Sequence, residues 1–210
     1  MRYGSRVRAS LVVIVAVLAG ACSQPAPTPA ATANAPATDT KARDAAAKLV
    51  GTTPPEWKAE RWLGSSPLTL AGLRGKVVLV RWWTAGCPFC SATAPSLRAF
   101  DKMYGPRGLT VVGMYHHKEE TPFDPTVYED TARKYELTFP VAFDPEWQTF
   151  HSWMRDATGA EVDTGWTSVT FLLDKHGVIR QVHPGGSYVA GDPAYAELEA
   201  MIERLLAEPS

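Results

Sequence analysis

The hydrophobic pattern predicts a series of strands separated by helices over the C-terminal three quarters of the chain. Two runs, 77–83 and 109–115, are apolar at nearly every position, which is typical of strands buried on both faces of a sheet. Shorter strands are expected at 68–70 and 141–143. The segment 169–182 predicts a hairpin, with its turn at Asp174-Lys175-His176-Gly177.

Helices are predicted where apolar residues recur at spacings of three and four. A long helix starts near Cys87 or Pro88, contains Pro95 and ends at about Tyr104, where Gly105-Pro106 stops it. The other helices are expected over about 126–135, from about 145 to 154, and from Pro193 or Ala194 onwards, with apolar positions up to Leu205. Strands alternating with helices, followed by a hairpin and a helix, indicate an α/β fold with a central mixed β-sheet flanked by helices on both faces.

The N-terminal part of the chain predicts export and a tether. Three arginines precede an apolar run over 11–18 and the small residues Ala19-Gly20-Ala21, the pattern of a secretory signal peptide over 1–21. Residues 22–48 are rich in Ala, Pro and Thr and have few large apolar side chains, which predicts a disordered tether. The folded domain is expected over 49–207.

Composition narrows the function classes. The chain has 210 residues, 45% of them hydrophobic, and a formal net charge of −1, so nothing in its charge predicts binding to nucleic acid. It has only three cysteines, too few for a disulfide scaffold. Cys22 follows Gly20-Ala21 as in the lipobox of bacterial lipoproteins, which predicts lipidation at Cys22, and Ser23 resembles an outer-membrane sorting signal.

The candidate chemistry lies at Cys87-Pro88-Phe89-Cys90, between a buried strand and a helix. A thiol at a helix N-terminus faces unpaired N–H groups and the positive end of the helix dipole. Both favour the thiolate, which is the reactive form of cysteine. The pattern therefore predicts a thiol–disulfide redox centre; two inert or purely structural cysteines are the alternative.

From about Val50 to Leu206 the chain resembles the thioredoxin superfamily, and within it the exported, membrane-tethered TlpA/ResA-like thiol–disulfide oxidoreductases. The resemblance rests on 73–80, on the tryptophan before the cysteine motif, on Cys87-Pro88-Phe89-Cys90, on Pro95 and on 171–177. It implies a thioredoxin-like fold and a redox-active Cys87–Cys90 disulfide. Cys87 would be the exposed nucleophile, and Cys90 would resolve the mixed disulfide.

Outside the motif no Cys or Cys/His cluster suggests a structural zinc, so no metal is expected, and no cofactor is expected either. Because the chain has no further cysteine pair, electrons would pass to or from a partner protein. Pro88 and Phe89 lie between the cysteines, and Phe89 is expected to face the substrate. Trp83 is expected to lie near the cysteines, since Trp82 and Trp83 point to opposite faces of a strand.

Three positions depart from the pattern of the family. Ser168 stands where the family has a cis-proline, and Thr93 stands where some relatives have a glutamate. Arg81 aligns with a buried acid or asparagine of many relatives. Two hypotheses remain for Arg81: its guanidinium lowers a cysteine pKa, or it pairs with a carboxylate on the other sheet face.

Two other functions fit parts of the sequence. A thiol peroxidase of this fold has a threonine three residues before the reactive cysteine, as Thr84 is here, but the proline expected earlier is Val80. A copper-binding chaperone of this fold uses two cysteines and a distant histidine, with three residues between the cysteines instead of two. His116 and His117 end the second buried run and are either metal ligands or solvated loop residues.

Overall fold

The computed structural model describes residues 37–118, 120–159 and 166–209. Within these residues six strands form one sheet in the order β1-β4-β3-β2-β5-β6. The strands are β1 (Glu60–Leu63), β2 (Val77–Trp83), β3 (Leu109–Tyr115), β4 (Val141–Phe143), β5 (Val169–Leu173) and β6 (Ile179–Pro184). The helices are α1 (Ala37–Ala47), α2 (Pro88–Tyr104), α3 (Pro125–Lys134), α4 (Gln148–Thr158) and α5 (Pro193–Ala207).

The sheet is mixed, as predicted. Strands β2, β3 and β4 run parallel to one another, while β1, β5 and β6 pair antiparallel to their neighbours. The C-terminal end of β2 therefore lies beside the start of β5, with Trp82 opposite Val169. This edge of the sheet brings together the residues that follow β2 and β3 and those that precede β5.

Alternation along β2 divides the core between the two faces of the sheet. Val78, Val80 and Trp82 pack in one cluster with residues of α1 and α4. Val77, Leu79 and Trp83 pack in the other with residues of α2, α3 and α5, and this second cluster also contains both cysteines of the motif. The predicted α/β fold with helices on both faces is confirmed.

The strand expected at 68–70 is wrong. The strand that pairs with β4 is instead β1, Glu60–Leu63, and Ala71–Leu73 forms a 3₁₀ turn. The Glu56 carboxylate accepts hydrogen bonds from the backbone N–H groups of Leu70 and Ala71, at 2.8 and 3.2 Å. These bonds satisfy backbone donors at the start of the turn in place of sheet pairing.

The tether predicted over 22–48 extends too far towards the C-terminus, because α1 covers Ala37–Ala47. Ala45, Ala46 and Leu49 are buried in the core on the α4 face of the sheet. Gly51 then donates a backbone hydrogen bond to the Ile179 carbonyl at 2.8 Å, and Ile179 donates one to Thr52 at 2.9 Å. An alanine-rich segment buries little apolar area per residue. Whether it is helical therefore depends on its packing against the core, which the composition does not reveal.

The predicted signal peptide and Cys22 lie outside the described residues. Along the described parts of the chain, no helix combines the length and the apolar character needed to span a membrane.

Candidate functional site

Cys87 and Cys90 form a disulfide at the N-terminus of α2, with their Cα atoms 5.2 Å apart. Cys87 is the N-cap residue, and its sulfur accepts a hydrogen bond from the Cys90 backbone N–H at 3.2 Å. Pro88 occupies the first turn of α2. Backbone N–H groups there have no partner within the helix, so the absence of an N–H in proline costs no hydrogen bond. After reduction, the Cys90 N–H and the helix dipole would stabilise a thiolate on Cys87.

The prediction that Cys87 is exposed is wrong in this structure. Cys87 and Cys90 are each only 4% exposed. Thr167 is one cause, since its hydroxyl lies 3.5 Å from the Cys87 sulfur. Cys87 nevertheless lines an open groove, so a partner would reach it through that groove.

The groove beside Cys87 has a volume of about 300 Å³. Its walls come from the β2–α2 turn, from Pro88 and Phe89 at the start of α2, and from Lys118 and Thr167. Phe89 is among the exposed large apolar residues, at 49%. The groove therefore presents an apolar surface, and one lysine at its edge, directly beside a cysteine.

Thr167 and Ser168 lie against the cysteines where β5 begins. The Thr167 hydroxyl faces Cys87, and its carbonyl is 4.0 Å from the Cys90 sulfur. Ser168 is fully buried and turns its hydroxyl towards the Gly186 carbonyl, at 3.5 Å. None of the described residues has a cis peptide bond. The contact with both cysteines is thus made by Thr167, while Ser168 anchors the segment to the loop after β6.

His116, directly after β3, holds Thr167 from the other side. Its Nε2 lies 3.0 Å from the Thr167 carbonyl, so the neutral tautomer with a proton on Nε2 donates this bond. The ring packs against Trp147, with centroids 3.7 Å apart, and Nδ1 is buried without a partner. Burial lowers the pKa of His116 to about 3, so the ring is neutral at physiological pH.

Arg81 and Trp83 lie beneath the motif on the same side of the sheet as the cysteines. Both line a small cavity together with Cys90. Trp83 packs against the rings of Tyr115, Tyr128 and Tyr135. Gly113 leaves room for this indole, since a Cβ there would lie 3.1 Å from Trp83 Nε1.

The two histidines after β3 have different surroundings. His116 is buried, whereas His117 is partly exposed and makes a hydrogen bond with the Thr121 carbonyl. Among the residues that the structure describes, no group of three or more His, Cys, Asp or Glu side chains is arranged to hold a metal ion.

Thr167 and the inward role of His116 were missed by sequence reasoning. A usable signal was present, because His116 follows β3 and Thr167 precedes β5. In a mixed sheet with β5 antiparallel to β2, those two positions meet at the edge that carries the cysteines. The distances that make Thr167 the common neighbour depend on side-chain packing, which the pattern does not encode.

The fold and the site together define a thioredoxin-like protein with a CxxC disulfide at the start of its second helix. The family model described as Redoxin matches residues 41–198, and the chain belongs to this family.

Curated relatives and solved structures agree with this assignment. Thiol-disulfide oxidoreductase YkuV of Bacillus subtilis is 26% identical over 155 residues, which cover 73% of this chain and 94% of YkuV. The crystal structure of a thiol-disulfide isomerase from Corynebacterium glutamicum is 25% identical, with a TM-score of 0.59, covering 75% of this chain and 99% of that one.

Protein DipZ of Mycobacterium tuberculosis is 29% identical over 170 residues, which cover 78% of this chain. The matched region is only 22% of DipZ, so the chain corresponds to about a fifth of that much longer relative.

Proposed function

We propose that the protein is a thiol–disulfide oxidoreductase that exchanges electrons with thiols or disulfides of partner proteins through Cys87 and Cys90. The observation that carries the proposal is the disulfide between these residues at the N-terminus of α2. Membership of the Redoxin family and the similarity to thiol-disulfide oxidoreductase YkuV support it. The groove beside Cys87 has room for a segment of a partner protein.

The chemistry needs only the two cysteines of this chain and two of the partner. In the reducing direction, the Cys87 thiolate attacks a partner disulfide, forms a mixed disulfide and releases one partner thiolate. The Cys90 thiolate then attacks Cys87, restores the Cys87–Cys90 bond and releases the second partner thiol. The reverse sequence oxidises a partner dithiol. No cofactor takes part, because electrons and protons move between sulfur atoms and solvent.

The proposal includes a location outside the cytoplasm, with residues 1–21 as signal peptide and Cys22 as the lipid anchor of the mature protein. Residues 2–21 combine the basic start, the apolar run and the small residues of an export signal. Outside the cytosol a cysteine pair can persist as a disulfide, which suits exchange with exported proteins. The tether would hold the folded domain, and with it the redox site, away from the membrane surface.

Trapping of mixed disulfides tests the proposal. In cells that express the full chain with Cys90→Ser, the first step proceeds but the resolving thiol is missing, so partner proteins stay linked to Cys87. We expect discrete species on non-reducing gels that disappear on reduction. The matched control is Cys90→Ser combined with Cys87→Ser, which should capture nothing. Absence of trapped species, together with a Cys87 that does not react with iodoacetamide, contradicts the proposal.

A further inference from the structure

Arg81 is a buried cation on the face of the sheet that carries the cysteines. It lies in the middle of β2 and is only 1% exposed. Leu79 and Trp83, its neighbours by strand alternation, belong to the same cluster as Cys87 and Cys90. Burying a guanidinium costs free energy unless an anion or several hydrogen bonds compensate. The groups that contact the guanidinium therefore determine the role of Arg81.

The partners of Arg81 in the oxidised protein are all neutral. Its two terminal nitrogens donate to the Thr170 hydroxyl at 3.0 Å and to the Gly186 carbonyl at 2.7 Å. The guanidinium carbon lies 5.4 Å from the centre of the Tyr188 ring. Nε is buried and has no hydrogen-bond partner. None of the ion pairs among the described residues involves Arg81, so the hypothesis of a carboxylate partner is not supported.

The titratable groups packed around Arg81 supply no anion at neutral pH. His183 on β6 is neutral, because burial and then the charge of Arg81 lower its pKa to about 4. Tyr188, after β6, has its pKa raised by burial, and Tyr135, after α3, likewise. Burial of Arg81 itself lowers its pKa, the direction expected for a desolvated cation. Of the groups that line a cavity together with Arg81, Cys90 is the remaining one that can become an anion.

Cys90 and Arg81 line the same enclosed space. The cavity lies between β2 and α2 and has a volume of about 10 Å³, which is the size of a single water site. Its other walls are apolar or neutral: Trp83, Ala94, Leu97, Gly113, Tyr135, Leu137 and Phe139. Charges interact more strongly in such surroundings than in water. A thiolate at Cys90 would be the first anion to share the space with the guanidinium.

We propose that Arg81 is a positioning residue that stabilises a Cys90 thiolate in the reduced protein and thereby makes the cysteine pair more oxidising. This inference rests on the proposed thiol–disulfide exchange. A partner dithiol gives two electrons: its two S–H bonds are lost, its own disulfide forms, and the Cys87–Cys90 bond breaks. Of the two protons released, one goes to solvent and one stays on the cysteine pair, where the helix N-terminus favours a thiolate on Cys87 and Arg81 favours a thiolate on Cys90.

The direction of the effect follows from the unequal pairing of the two redox states. In the disulfide state the buried guanidinium has no counter-ion, whereas in the reduced state the Cys90 thiolate provides one. The charge on Arg81 therefore stabilises the reduced form selectively. Burial of Cys90 alone would act in the opposite sense, because desolvation raises the pKa of a thiol. The two explanations predict opposite shifts of the pKa of Cys90.

The first test measures the pKa of Cys90 directly. The protein is the full chain purified in detergent, with Cys22→Ser and Cys87→Ala so that Cys90 is the only thiol, and the ultraviolet absorbance of the thiolate follows the titration. We expect a pKa below the ordinary cysteine value of about 8.5. A pKa at or above that value overturns the inference, and this measurement does not depend on the folding of any Arg81 variant.

The second test measures the equilibrium of the Cys87–Cys90 pair with glutathione in the otherwise wild-type full chain. Arg81→Met removes the charge at similar volume. We expect its equilibrium constant for oxidising glutathione to fall at least tenfold, which corresponds to about 30 mV for a two-electron couple. Arg81→Lys, which keeps the charge, should stay within threefold of wild type.

Arg180→Met is the matched control for the second test, because Arg180 pairs with Asp174 and Glu208 at the opposite end of the sheet. It should leave the equilibrium constant unchanged. A folded Arg81→Met variant with a wild-type equilibrium constant overturns the inference and leaves the proposed function intact. Failure of the wild-type pair to exchange with any dithiol contradicts the proposed function itself.

Discussion

Thr167 lies beside the sulfur atoms of both cysteines of the disulfide. Its hydroxyl lies 3.5 Å from the Cys87 sulfur, and its carbonyl accepts a hydrogen bond from His116. Thr167 and Ser168 lack the ring that fixes φ in a proline, so contacts with neighbouring residues hold this segment. The buried imidazole supplies one of these contacts, through a bond to Thr167 that forms in a space from which water is excluded. At the scale of single residues, His116 fixes the approach of Thr167 to the cysteines.

The burial of His116 predicts a loss of stability in mild acid. Its pKa is about 3 in the folded protein and about 6.5 when unfolded, so the unfolded state binds more protons below pH 6.5. Stability therefore falls as the pH drops from about 6.5 towards 3. By linkage, His116 accounts for a loss of about 2 kcal/mol between pH 7 and pH 5. Urea unfolding of the oxidised protein at both pH values measures it.

His116→Gln separates this titration from the hydrogen bond, because the glutamine amide can donate to Thr167 but does not titrate. The variant should lose about 2 kcal/mol less than wild type between pH 7 and pH 5. His176→Gln, at an exposed turn position, is the control and should retain the wild-type loss. An equal loss in wild type and His116→Gln would mean that His116 does not titrate on unfolding.

At the scale of elements, α1 belongs to the folded domain. Leu49 follows the helix and is 1% exposed in the core cluster that contains residues of α4. Truncating such a side chain removes its transfer free energy and leaves a cavity. We expect Leu49→Ala to lower the free energy of unfolding by about 2–4 kcal/mol, measured by urea denaturation.

The neighbouring residue provides the control for this prediction. Val50 is 47% exposed, so Val50→Ala should change stability by no more than about 0.5 kcal/mol. If Leu49→Ala is as mild as Val50→Ala, then the segment directly after α1 is not anchored in the core through Leu49 in solution.

The elements that could be predicted from sequence share a strong local signal. The strand β2 is a continuous apolar run, and the CxxC pair stands at its junction with a helix, so both could be recognised without the structure. The strand β1 could not, since Glu60–Leu63 contains two charged residues and pairs irregularly with β4. Leu68 and Leu70 imitate a strand, but the Glu56 carboxylate holds Leu70 and the next residue in a turn. Tertiary hydrogen bonds decided both cases.

The candidate site also contains residues that could be predicted from the sequence and contacts that could not. The cysteines, Trp83 and the anomaly at Arg81 could be read from position alone. That Arg81 lines a cavity with Cys90 and has no carboxylate partner depends on which side of β2 carries α2, which is a property of the assembled sheet. Long-range contacts of this kind are encoded in the whole chain and not in any motif.

At the scale of the whole molecule, the proposed lipid anchor at Cys22 gives a prediction about location. The chain places a cysteine after Gly20-Ala21 at the end of the proposed export signal, and lipid attached there would hold the protein on a membrane. In an exporting bacterial host, we expect wild type in the membrane pellet after a high-salt wash, labelled by a radioactive fatty acid. Cys22→Ser should lose the label and move to the soluble fraction.

Cys87→Ser is the matched control for the anchor, because it removes a cysteine of the redox site and leaves the lipidation signal intact. It should remain labelled and in the pellet, while Cys22→Ser should keep wild-type reactivity of the Cys87–Cys90 pair towards glutathione. Each variant should therefore affect only one of the two properties, lipidation or redox reactivity. The reason is that Cys22 precedes the domain, whereas the disulfide lies at the start of α2. If Cys22→Ser stays in the membrane pellet, the anchor is not a lipid on Cys22.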